Sequence, residues 1–87
     1  MRKKLYAIVD NNLTRSQRAV QAAHAVAQYL LENPNTEWDN GTIVILKTEN
    51  LKSYIPLAES YFHDLENKIT AITFLGKDDK VTDLKLL

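Results

Sequence analysis

The chain contains no cysteine. A disulfide framework and thiolate metal sites are therefore excluded, and the composition is compatible with a reducing compartment. Glycine occurs only at Gly41 and Gly76, too few for a glycine-rich phosphate loop or a Gly-x-Ser-x-Gly nucleophile turn. No apolar run approaches the roughly 18 residues that cross a bilayer. The opening, MRKKLYAIVD, has a five-residue apolar stretch that ends at Asp10, shorter than the apolar region of a signal peptide. A cytoplasmic protein without membrane association is expected. Metal-ligand spacing and cofactor motifs are also missing, so neither a metal nor a cofactor is expected.

What is present is an ordinary globular composition, 45% hydrophobic and 25% charged over 87 residues. One domain spanning 1–87 is expected, with a modest core built on one sheet and a few helices. Net charge is zero, but the charge is uneven. Residues 1–20 carry Arg2, Lys3, Lys4, Arg15 and Arg18 against Asp10, a local charge of +4. Residues 32–66 carry seven acidic groups against Lys47 and Lys52, a local charge of −5. The basic pole is either incidental surface charge or a surface that meets phosphates.

Residues 4–10, KLYAIVD, read as a strand. Residues 14–17, TRSQ, form a capping box ahead of a helix over about 15–32 that is rich in alanine. Pro34 and the Asn40-Gly41 turn follow it. TIVILK (42–47) is a nearly continuous apolar run, as expected of a central strand covered on both faces. Leu51, Tyr54, Ile55, Ala58, Phe62 and Leu65 recur at helical spacing and predict a second helix, kinked or restarted at Pro56. ITAITFL (69–75) and VTDLKLL (81–87) read as the third and fourth strands. The order is β-α-β-α-β-β, an α/β domain whose short last connection makes one strand antiparallel.

The helix carries Gln17, Gln21, His24 and Gln28 at intervals of four, three and four residues. They form one polar stripe, either a solvated helix face or a set of oriented donors and acceptors around an imidazole that titrates near neutrality. Solvated faces usually favour Lys and Glu, which this stripe lacks. Arg15 and Arg18 lie in the first turns, where the helix dipole disfavours cations unless an anion binds. Asp10 ends the first strand, where ligands bind in open α/β sheets; the alternative is a turn aspartate bonded to its own backbone. Asp78, Asp79 and Thr82 fall in or after GKDDK, which is either an ordinary polar turn or a source of catalytic carboxylates. Trp38 either pins its loop or stacks on a base. His63, near the end of the expected second helix, reads as structural.

The stretch from Asp10 to Ala25 resembles the archaeal/eukaryotic-type, second family of peptidyl-tRNA hydrolases. That family has a helix with the pattern Gly-Lys-x-Ala-Ala-Gln-x-x-His-Ala. Asp10, Ala19, Gln21, His24 and Ala25 match without a gap, Val20 replaces an alanine, and Ser16 and Gln17 stand where the family has glycine and lysine. The resemblance implies a three-layer α/β/α fold with a mixed four-stranded sheet. It implies hydrolysis of the ester between tRNA and a peptide or N-blocked aminoacyl group. His24, Gln21, Asp78 or Asp79, and Thr82 would then be catalytic. Arg15 and Arg18 would hold tRNA phosphates, with Asp10, Gln17 and Gln28 also on the substrate side. The alternatives are a non-catalytic tRNA- or protein-binding module and a small dimerising protein without a nucleic-acid role.

Overall fold

The computed structural model describes residues 3–64, 66–76, 81 and 84–87. The first strand, β1 (Lys4–Asp10), is buried at every position after Lys4. Helix α1 (Arg15–Glu32) follows, and its start is the capping box read from TRSQ. The Thr14 hydroxyl accepts from the Gln17 amide at 3.2 Å, and the Gln17 side chain accepts from the Thr14 amide at 3.0 Å. Two otherwise orphaned first-turn donors are thereby satisfied. At the other end Asn33 bonds the Tyr29 carbonyl through both its amide and its side chain.

Strand β2 (Ile43–Thr48) pairs parallel to β1. A 3₁₀-helix (Leu51–Leu57), β3 (Ser60–His63), β4 (Ile69–Gly76) and β5 (Lys85–Leu86) complete the described elements. The mixed sheet has five strands in the order β3-β4-β1-β2-β5. β4 runs antiparallel to β1 and β3, and β5 antiparallel to β2.

The α/β class and the mixed sheet are as expected, but the four-strand count and the element order are not. Residues 51–65 do not form one interrupted α-helix. Pro56 lies inside the short 3₁₀-helix, where its missing amide proton and restricted φ limit continuation. Beyond it the chain extends into β3, whose side chains alternate in burial. A period of two, not of three to four, organises Ser60 to His63. The central strand is also β1 rather than β2. Because α1 packs on β1, β3 and β4, Ile43 of β2 stays exposed. The last strand is confined to two residues.

Each sheet face has its own core. Tyr6, Ile8, Leu46, Ile72 and Phe74 form one, covered by Leu51 and by Tyr54, Ile55 and Leu57 of the 3₁₀ segment. Tyr6 and Phe74 are cross-strand partners with rings stacked at 5.1 Å. On the other face Ala7, Val9 and Ala71 meet Ala22 and Ala25 of α1. Both helix alanines are fully buried. A larger side chain at either position would overfill this layer, at a cost of about 1–3 kcal/mol. The opposite, outward side of α1 is unusual, with Val20 and Leu31 exposed to solvent.

Strand β4 contains one irregularity. Phe62 pairs with Ala71, but the next residue, His63, pairs with Ile69. Thr70 is therefore the extra residue of a β-bulge. As a result Ile69 and Ile72 both face the 3₁₀ side, while Ala71 faces α1 and Thr70 bonds to it.

Candidate functional site

The bulge and the polar stripe of α1 meet. The Thr70 hydroxyl, almost fully buried, donates to Gln21 Oε1 at 2.7 Å. This bond fixes the orientation of the Gln21 amide and leaves its donor nitrogen for a ligand. One turn further along, the exposed His24 ring stacks on Phe62 of β3, centroids 4.7 Å apart and planes 11° from parallel. Gln17, Gln21, His24, Phe62 and Thr70 line an open cleft of about 710 Å³, closed on its far side by His63, Asp64 and Glu66. The amide–imidazole row thus borders a concavity rather than open solvent.

The turn between β3 and β4 builds the far wall. Asp64 Oδ1 accepts from the Glu66 and Lys68 amides, both at 2.9 Å. Asn67 adopts the left-handed conformation at φ 63°, which asparagine tolerates better than most residues. Asp64 is thus engaged in holding the turn. The Glu66 carboxylate accepts none of these bonds and sits exposed on the rim.

The remaining expected site residues are distributed as follows. Gln28 belongs to the stripe but points its amide at Glu32, donating at 2.6 Å, and Glu32 in turn accepts from the buried Ser60 hydroxyl. Glu32 thereby fastens α1 to β3, and Gln28 braces Glu32 instead of lining the cleft. Arg18 is half-buried, and its Nη1 donates to the Leu13 carbonyl at 2.8 Å. Arg15 is exposed at the first helical position, with no acidic residue in that turn. Asp78, Asp79 and Thr82 lie outside the described residues. Asp10 occupies the other side of the sheet. It shares the face of Tyr6 and Ile8 and lines a second cleft, of about 470 Å³, with Leu51, Ile55 and Lys68. Its Oδ1 accepts from the Asn12 amide at 2.9 Å. Trp38 is buried against Leu5 and Tyr29, and its indole donates to the Thr42 carbonyl at 3.1 Å. It pins the loop and offers no open stacking face. His63 ends β3 and lines both clefts.

Phe62, Asp64, Glu66 and Thr70 were not anticipated as cleft residues. A helix over 51–65 would have carried Phe62 away from His24, and a bulge leaves no signal in ITAITFL. Among the described residues no cluster of three His, Asp or Glu is arranged to hold a metal ion, and no helix is long and apolar enough to cross a membrane.

No protein-family model, curated protein or solved structure matches the chain.

Proposed function

We propose that the chain hydrolyses the ester joining a peptide, or an N-blocked aminoacyl group, to tRNA, with the cleft between α1 and the β3–β4 turn as the reaction site. The observation that carries this reading is the placement of Gln21 and His24 on one wall of that cleft, with the Gln21 amide oriented by Thr70. It adds to the resemblance of the stretch from Asp10 to Ala25. In this reading neutral His24 takes a proton from water as the water oxygen attacks the ester carbonyl carbon. Gln21 Nε2 donates to the carbonyl oxygen as negative charge gathers there. The C–O bond to the ribose then breaks. The leaving ribose oxygen takes the proton back from the imidazolium, and the peptide departs with a carboxyl end. Arg15 and the other N-terminal basic groups hold tRNA phosphates, and Asp78 or Asp79 polarises the water.

The test uses purified protein and an N-acetyl-aminoacyl-tRNA. Wild type is expected to release the acylated amino acid, and His24→Ala to be slower by about 100-fold or more. Equal, slow release by both proteins removes His24 from the chemistry.

One observation favours a second reading, a module that binds tRNA or a protein partner without turnover. His24 is held by a ring stack, and among the described residues no carboxylate hydrogen-bonds it. A catalytic histidine is ordinarily oriented by such a third group. tRNA affinity that falls steeply with salt, without release of product, selects this reading.

A further inference from the structure

We infer that the second cleft, beyond the C-terminal ends of β1 and β2, binds an apolar α-amino acid in its zwitterionic form. This goes beyond the ester-cleavage reading and does not rest on it, because the cleft opens on the sheet face opposite α1.

Asp10, at the end of β1, is only 8% exposed. Its side chain is 12% exposed, so the carboxylate stays open to the cleft, and it can accept about four hydrogen bonds. Among the described residues Asp10 accepts one, from the Asn12 amide to Oδ1. Its other oxygen lies 4.0 Å from Lys68 Nζ, beyond hydrogen-bond reach, and that lysine is largely exposed. A compact ammonium with three donors suits Oδ2 better than a lysine held at that distance.

The surroundings supply the other two halves of the ligand. Lys68 and Lys52 line the cleft together with Glu49, and once an ammonium occupies Asp10 either lysine is available to a ligand carboxylate. Leu51, Ile55 and Ile69 form an apolar wall at the end of the Tyr6–Phe74 core. The volume of about 470 Å³ falls within the usual range for small-molecule sites. Acid, base and apolar wall together match the ammonium, carboxylate and side chain of leucine, isoleucine, methionine or phenylalanine. Neither a simple anion nor a simple cation would use all three.

The experiment titrates isotope-labelled full-length protein with L-leucine, N-acetyl-L-leucine, L-leucinamide and L-aspartate, following backbone amide resonances by NMR. L-Leucine is expected to shift Leu51, Lys68 and Ile69 saturably. The acetylated and amidated analogues each lack one charge and should bind at least about tenfold more weakly. L-Aspartate keeps the zwitterion but lacks the apolar group, and it should also bind more weakly. Absence of saturable shifts with leucine overturns the inference, as does equal binding by either blocked analogue or by aspartate. Because the comparison varies the ligand, misfolding of a variant cannot imitate either result. Peptidyl-tRNA hydrolysis is measured separately, so failure of one reading leaves the other standing.

Discussion

The two clefts lie on either side of the same short turn and share His63, yet they are built from opposite materials. The cleft beside α1 is organised by an amide fixed by a hydroxyl and an imidazole laid flat on a phenyl ring, with the Asp64 and Glu66 carboxylates opposite. The cleft beyond β1 is organised by a buried carboxylate over an apolar wall. Groups that donate, accept and exchange protons suit a reaction in which charge appears transiently. A fixed buried charge suits a ligand that brings a permanent countercharge. One small sheet can therefore present two chemistries, because its two faces are covered by different elements.

The sharpest way to break this contrast is His24→Ala. It should lower peptidyl-tRNA hydrolysis by about 100-fold or more and leave the leucine-induced shifts at Leu51 and Ile69 in place. If both responses vanish, the clefts are not separate. Phe62→Ala comes next. It removes a half-buried ring that supports His24, and the expected loss is about 2 kcal/mol of stability, read from urea midpoints. The His24 ring resonances should shift in the same variant. Thr70→Val is subtler, since it keeps the shape and removes the hydroxyl proton donated to Gln21. Loss of the hydrogen bond to the part-buried Gln21 costs about 0.5–1.5 kcal/mol, and hydrolysis should fall through kcat more than through KM. Rescue by Thr70→Ser, which restores the donor, would separate positioning from packing.

The smallest effect is expected far from both clefts, at Lys3 and Glu37. Their 2.6 Å pair is exposed. The hydrogen bond to Glu37 raises the Lys3 ammonium above its ordinary pKa, and the same bond lowers the Glu37 carboxyl below its own. The Glu37 contribution is present above the ordinary carboxylate range and is lost as pH falls through the depressed value. The Lys3 contribution is present below the ordinary lysine range and is lost as pH rises through the elevated one. Solvent and salt screen both. Glu37→Gln should leave the thermal midpoint unchanged at physiological salt and neutral pH, and a clear drop would show that the pair matters more than its exposure implies.

What could be read from the residues follows their local character. β1 and α1 were legible to the residue, because a capping box and an alanine-rich run of helical period determine their own ends. The stripe of Gln17, Gln21 and His24 was legible for the same reason, and it does border a cleft. The wall opposite was not. Phe62 sits in a segment whose apolar spacing fits a helix, and only pairing with β4 decides for a strand. Gln28 and Arg18 share the helix with the cleft residues, but local partners, Glu32 one turn on and the Leu13 carbonyl ahead of the helix, draw their side chains elsewhere. Asp10 was correctly placed at a strand end. Which face it used depended on how the strands alternate within the finished sheet, and that put it behind the helix rather than beside it.

Thr70 has a consequence for how this protein can change. Removing that single codon would let β4 run in regular register against β3, a gain for the strand considered alone. It would also withdraw the hydroxyl that anchors Gln21, while Ile69 would keep its pairing with His63 and its side of the sheet. The deletion would therefore disarm the cleft beside α1 and spare the wall of the other, so the extra residue is held by the donor it carries rather than by the strand.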